Sequence, residues 1–263
     1  MPTLPSLPSL LDLDAATIAW IALATSVAFV MRGLAGFGSS MIGIGLLSLV
    51  LPPARVVPAF LVIELITSVN LLPQAWPQVD WKSLRWVCLG CAVATPLGLF
   101  VLAGLDPNPM RLFVSACLLG IAVFMLSGLA ARVAPKDTPG AGGAFAVGLA
   151  SGVLTGAAGI GGPPAVVFYF ATTRIAVSRA TLIAYLVFTD ICALAWIGGT
   201  GLLASTDWWP IVAVAVPFSF AGTWLGTHIY LRLPEAQLRR LIWSLLAALG
   251  SVGLVAAMVR IAG

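Results

Sequence analysis

Charge is what this sequence has least of. Its 263 residues include 13 Lys or Arg and 9 Asp or Glu, 8% in all, where an ordinary soluble domain carries about 25%. So few charges cannot surface a soluble fold, and with 60% hydrophobic residues the chain reads as an integral membrane protein. Histidine is nearly missing: the single His228 leaves no paired-histidine metal centre to assemble, and near a span end it reads as an interfacial residue. Cysteine is sparse, and Cys88, Cys91, Cys117 and Cys192 all lie inside apolar runs. Cys88 and Cys91 have C-x-x-C spacing, but with no histidine or further cysteine nearby they read as small hydrophobes, and no disulfide framework is expected. No metal or cofactor is expected. The net charge of +4 does not mark a nucleic-acid partner, because the basic residues stand singly or in pairs beside apolar runs, where membrane topology accounts for them.

Apolar runs fill the chain instead. Charge-free stretches cover residues 15–31, 33–54, 65–79, 86–105, 112–131, 138–173, 191–206, 208–231 and 241–259, many near the roughly 20 residues that a bilayer-crossing helix needs. Residues 1–14 form a tail in which Asp12 and Asp14 precede the first run and no basic residue does, which argues against a cleaved signal peptide. Two runs cannot be clean helices. Arg32 to Leu47 reads R-G-L-A-G-F-G-S-S-M-I-G-I-G-L-L, and Gly152 to Phe170 reads G-V-L-T-G-A-A-G-I-G-G-P-P-A-V-V-F-Y-F. Each is too apolar for a soluble loop and too rich in glycine or proline for an unbroken helix. A break within lipid frees backbone N–H groups that only protein or a watery cavity can satisfy, so both stretches are candidate binding elements.

In the first half a helix is expected over 15–31, then the break, then Met41 to Leu51, stopped by Pro52-Pro53 because a proline pair cannot continue a helix interior. These lengths suit a re-entrant or hairpin pair. Val56 to Leu72 is the next span, and Pro73 to Arg85 is a connection whose Trp76 and Trp81, with the neighbouring Trp86, suit a membrane interface. Spans near 84–104 and 109–131 follow. Beyond the broken region 143–173, further spans fall near 180–204, 208–231 and 237–260.

The most polar segment, a linker at 132–142, separates a repeat at 15–131 from a repeat at 143–263. Gly36-Phe37-Gly38 matches Gly159-Ile160-Gly161 at an offset of 123, Asp80-Trp81 matches Asp207-Trp208 at 127, and Pro96-Leu97-Gly98 matches Trp224-Leu225-Gly226 at 128. Internal duplication of this kind is the usual build of secondary transporters. If each broken region returns to the side it entered, nine flanking basic residues (Lys82, Arg85, Arg132, Lys136, Arg174, Arg179, Arg232, Arg239, Arg240) share one side and three (Arg55, Arg111, Arg260) the other. That division satisfies the positive-inside rule and gives the repeats opposite orientation, with both termini outside. The expected fold is all-α: a polytopic transmembrane helical bundle of two inverted repeats, each with a glycine-broken re-entrant or hairpin helix pair plus about three spans.

Half-helix N-termini meeting at mid-membrane direct positive dipole ends and free N–H groups inward, an arrangement that favours an anion. Gly36, Gly38, Gly159, Gly161 and Gly162 let backbone approach such a ligand, and Ser39 and Ser40 add hydroxyl donors. Gly43, Gly45, Gly98, Gly120 and Gly226 read instead as packing glycines. Arg32 stands between two charge-free runs, where its guanidinium either clamps an oxyanion or snorkels to the interface. Glu64 and Asp190 are the acids inside spans, 126 residues apart and so nearly equivalent in the two halves. Proton coupling, pairing with Arg32 and structural hydrogen bonding are all open to them.

The two glycine motifs, in two similar multi-span halves, resemble the sulfite/organosulfonate exporter family TauE/SafE over nearly the whole chain. The resemblance implies a multi-pass carrier of the bacterial inner membrane, moving sulfite, sulfoacetate or related sulfur oxyanions with a coupling proton or ion. By motif position it implies substrate contacts from Arg32, Gly36, Phe37, Gly38 and Ser39, and from Gly159, Gly161, Gly162 and Pro163. Where the family commonly has a G-G-G run, Ser39-Ser40 and Pro163-Pro164 stand here. On the residues alone two other classes stay open: an intramembrane enzyme acting on lipid phosphates, which Glu64 and Asp190 would supply with acids but no Ser-His or metal-ligand cluster accompanies, and a passive anion channel.

Overall fold

Backbone polar groups in lipid must be satisfied within their own segment, which leaves helices as the solution for runs of this length. The structure, a computed structural model, describes residues 13–102, 120, 123, 127, 140–158, 163–199, 207–238, 240–245, 247, 248 and 251. Among the described residues every regular element is helical and there is no strand. In chain order these are α1 (Ala15–Ala35), α2 (Ser39–Leu47), α3 (Pro53–Ala75) with a 3-10 turn at Trp76–Gln78, α4 (Trp81–Leu102), α5 (Ala141–Ala158), α6 (Pro163–Thr172), α7 (Ile175–Gly199) and α8 (Trp209–Arg232). Residues 235–238 and 240–245 are helical too. Ala15–Ala35, Arg55–Gln78, Ile175–Ala195 and Trp209–Arg232 are long and apolar enough to cross a membrane. The outward apolar side chains Leu23, Val27, Ile66, Val69, Leu89, Val93, Leu97 and Trp224 would be a liability in water and suit lipid.

Asp14 starts α1, its carboxylate accepting from Thr17 N at 3.3 Å, which holds that carboxyl below its usual value. The helix runs four residues beyond the expected Met31, because Arg32, Gly33, Leu34 and Ala35 are all buried against neighbours and nothing forces a stop before Gly36. There φ is +81°, the left-handed region, and Gly38 repeats it at +93°. Only glycine adopts these angles without strain, so the break is fixed by two residues. Trp20 Nε1, near the start of α1, donates to the Leu46 carbonyl near the end of α2 at 3.0 Å. Pro52 and Pro53 lie where α3 begins, Pro53 as its first residue, a position where the missing N–H costs nothing. The expected connection from Pro73 shrinks, because α3 carries Pro73 inside it and continues to Ala75. Proline is tolerated this way where neighbouring helices re-satisfy the freed carbonyl.

The halves interlock. The broken helix of the first half, α1, lies along α8, the broken helix of the second, α5, lies along α4, and α3 packs on α7. Both long pairings rest on glycine. A Cβ at Gly226 would stand 2.1 Å from Val30 O and one at Gly33 2.4 Å from Thr223 O; one at Gly148 would stand 2.2 Å from Val87 O and one at Gly90 2.3 Å from Phe145 O. Small residues letting backbones touch are the usual association device where helices lack a hydrophobic drive to meet. Gly43 packs under the Phe60 ring. Gly45 does not fit the packing expectation, since no atom of the described residues lies within 4 Å of where its Cβ would be, and the surroundings of Gly98 and Gly120 fall outside the described residues. Gly148→Ala or Gly226→Ala should each cost about 1–3 kcal/mol by overpacking, read as a lower melting temperature of the purified protein, while Gly45→Ala should stay within about 0.5 kcal/mol of wild type. An unchanged melting temperature for Gly226→Ala would refute the α1–α8 contact.

Candidate functional site

The break between α1 and α2 positions a charged cluster in the interior. Arg32 sits in the last turn of α1, Ser39 and Ser40 open α2, and Glu64 lies midway along α3. Arg32 Nη1 reaches Glu64 Oε1 at 3.0 Å, and both side chains are fully buried. The same nitrogen donates to Ser39 Oγ at 2.9 Å, and Nη2 donates to Ser68 Oγ. Ser39 Oγ donates in turn to Glu64 Oε1, and Ser40 Oγ donates to Glu64 Oε2 at 2.7 Å. Arg32 Nε has no hydrogen-bond partner among the described residues. Of the two readings of Arg32, interfacial snorkelling is overturned, because the side chain is fully buried. Of the readings of Glu64, pairing with Arg32 is the one realised.

The carboxylate's position is informative. It lies at the N-terminus of α2, a helix whose Gly38 N-cap provides no side-chain hydrogen bond, and one guanidinium and two hydroxyls converge on it. This is where helix dipole and donors favour an anion, and the anion there is the protein's own. Removing one ion from such a pair strands the other in low dielectric.

Asp190, on α7, is buried, and its Oδ2 has no hydrogen-bond partner among the described residues. Glu64 and Arg32 are near enough to act on it electrostatically. Phe37, between the two left-handed glycines, turns away from the ions: its ring meets Phe170 of α6 edge-on at 5.7 Å and Trp243 at 6.5 Å. Gly36 lies against α7, where a Cβ would stand 2.6 Å from Arg179 O. Pro163 is the first residue of α6. Gly159, Gly161 and Gly162 lie outside the described residues.

Sequence reasoning missed Ser68, which sits one helical turn after Glu64 and bonds both Arg32 and the Glu64 carbonyl. The i, i+4 spacing of an acid and a hydroxyl was the available signal. It also missed Arg179, whose Nε donates to Gly33 O at 2.9 Å and whose plane lies over Tyr230 at 4.3 Å, tying α7 to the end of α1.

Fold and centre define a multi-pass membrane protein with an ion pair sealed inside its helices. The chain belongs to the TauE/SafE family: the profile described as sulfite exporter TauE/SafE matches residues 21–252. A Cupriavidus necator protein named as a probable sulfite/organosulfonate exporter TauE is 31% identical over 229 residues, spanning 82% of this chain and 85% of that one. No solved structure matches the chain. Membership makes it a membrane transporter and not an enzyme. Glu64→Ala should destabilise the purified protein by about 3–5 kcal/mol, whereas replacing the pair together, Arg32→Met with Glu64→Leu, should cost far less than the sum of the single changes. Additive losses in thermal melts would show that the two ions do not depend on each other.

Proposed function

We propose that this chain is a secondary active transporter of small sulfur-containing oxyanions, sulfite or organosulfonates such as sulfoacetate, working by alternating access in the bacterial inner membrane with a coupling proton or ion. The observation that carries the reading is the Glu64 carboxylate at the α2 N-terminus: Arg32, Ser39 and Ser40 already hold a planar oxyanion there. A sulfonate or sulfite presents oxygens at similar spacing, and a guanidinium fork suits it. The substrate class comes from the name of the Cupriavidus necator relative. Gly36 and Gly38 on one side and Gly159, Gly161, Gly162 and Pro163 on the other are the backbone elements that would complete the coordination, with Phe37 linking them through Phe170.

Two inverted repeats with re-entrant breaks are the architecture we infer. The bond from Trp20 to the Leu46 carbonyl supports a chain that doubles back at the break. The exchange of partners, α1 with α8 and α5 with α4, supports a two-fold relation. Contacts between ends agree with the expected sidedness: Arg55 meets Asp207 at 3.5 Å, Thr181 Oγ1 accepts from Asp80 N, and each pair falls on one side in the nine-to-three arrangement. The fully buried state of Arg32, Ser39 and Glu64 favours a carrier over a channel, since an open pore would wet them.

A thermal-shift screen of purified protein against sulfite, thiosulfate, sulfoacetate, taurine and simple carboxylates should give stabilisation by one or more sulfur oxyanions that exceeds the carboxylates. Arg32→Ala is a poor test because it strands Glu64. Arg32→Lys keeps the charge and loses the fork, and should weaken transport in proteoliposomes by about 10–100-fold. Wild-type rates in Arg32→Lys would remove Arg32 from the substrate site.

A further inference from the structure

We propose that Glu64 is a tethered anion which the substrate must displace from Arg32, Ser39 and Ser40, that the displaced carboxyl leaves carrying a proton, and that oxyanion and proton therefore travel in the same direction. The inference rests on the transport reading above and adds the polarity of its coupling.

The argument is one of charge and donors. Arg32 spends both Nη1 protons on Glu64 and Ser39 and one Nη2 proton on Ser68, so an oxyanion that takes the end-on Nη1/Nη2 edge of the guanidinium competes directly with Glu64. Once displaced, Glu64 is a carboxylate with no cation in a fully buried place. An ionised acid there is costly unless paired. The groups facing it do not supply a counter-ion. Among the described residues, α7 contributes Asp190, another acid that Glu64 acts on electrostatically; α2 offers only the hydroxyls of Ser39 and Ser40; from α8, Ser219 reaches α3 at Thr67, and Arg32 is then occupied by substrate. A proton on the Glu64 carboxyl removes the penalty. The balance at Arg32 closes: the empty centre holds Arg32 and carboxylate, the loaded centre holds Arg32, one sulfonate group and a neutral acid, and one proton has entered with one substrate; the carboxylate of sulfoacetate adds one further negative charge that this proton does not offset. It leaves when the anion leaves and the carboxylate returns to Arg32.

The second half does not hold the same ion pair. On the offset of 123 that aligns the breaks, Arg32 corresponds to Thr155, whose hydroxyl is spent on the Ser151 carbonyl at 2.8 Å.

Binding and proton linkage are reciprocal, which sets the test. Sulfoacetate is the probe, with sulfite beside it, because a sulfonate does not change protonation between pH 6 and 8. In wild-type protein sulfoacetate affinity should fall by up to about tenfold per pH unit on the alkaline side. In proteoliposomes loaded with a pH dye, inward sulfoacetate should acidify the lumen. Glu64→Gln, purified with sulfoacetate present to compensate Arg32, should bind it about tenfold or more tightly at pH 8, lose the pH dependence, be stabilised by it more than wild type, and move no proton with it. A merely structural Glu64 would give weaker binding and no extra stabilisation. Wild-type transport without acidification, or with lumenal alkalinisation, would overturn the inference and leave the transport reading intact. Failure of both anions to bind or move at any pH would overturn both.

Discussion

A salt bridge between Arg32 and Glu64, closed at 3.0 Å with neither side chain touching solvent, is the interaction on which the arrangement of this protein depends. Two ions taken out of water repay the cost only with good geometry and further hydrogen bonds. Those are supplied by three serines, and each ties down a different piece of chain. Ser39 and Ser40 dock the start of α2 onto α3, and Ser68 closes the far side of the guanidinium. The break at Gly36 and Gly38 is what lets this happen. Had α1 continued straight, Ser39 and Ser40 would be carried about a turn further along its axis and away from the acid. Backbone conformation at two glycines, the course of α2 and the charge state of the interior are therefore one constraint.

Around that centre the long helix pairings rest on close backbone contact. α1 and α8 approach through Gly33 and Gly226, α4 and α5 through Gly90 and Gly148, so each half presents its broken helix to a helix of the other. The symmetry of packing is not matched by symmetry of chemistry. Where the first half carries arginine, serine and glutamate, α7 carries the acid Asp190 without an arginine at the position matching Arg32, and α4, α5 and α7 share a cluster of neutral groups: the Tyr185 hydroxyl lies 2.8 Å from Ser151 Oγ and 3.4 Å from Cys91 Sγ, with Thr155 beside them.

Composition made the membrane class and the all-helical fold legible, because lipid permits few other solutions for such runs. The break after Ala35 was legible too, since clustered glycines in an apolar run contradict an intact helix, while Gly159 to Gly162 lie outside the described residues. Helix ends were less so. Met31 looked terminal because Arg32 is charged, yet its charge is compensated 32 residues further on, a distance in sequence that no local pattern reports. Pro73 looked like a stop for the same kind of reason, although packing carries α3 past it. For the acids, the sequence offered Glu64 and Asp190 as near equivalents, and only the tertiary arrangement separates the paired one from the unpartnered one. Phe37 stood among the site residues by motif position, but a ring flanked by two left-handed glycines turns toward other aromatics, Phe170 and Trp243, and serves the joint between the halves.

An empty carrier must change shape as readily as a loaded one, and a bare guanidinium within the bilayer would hold it back, because exposing a charge to low dielectric is costly. A carboxylate that fills the substrate's place answers this physically. With Glu64 on Arg32 the empty centre is neutral, and with a monoanion on Arg32 and a proton on Glu64 it is neutral again. For a monoanionic sulfonate neither state obliges the protein to move net charge through its interior, while sulfoacetate, a dianion, takes one negative charge with it. The same device limits affinity, since each incoming anion must first replace an internal competitor held at high effective concentration. A transporter gains from that limit, because a site that held its substrate with the full strength of an uncontested arginine would release it slowly.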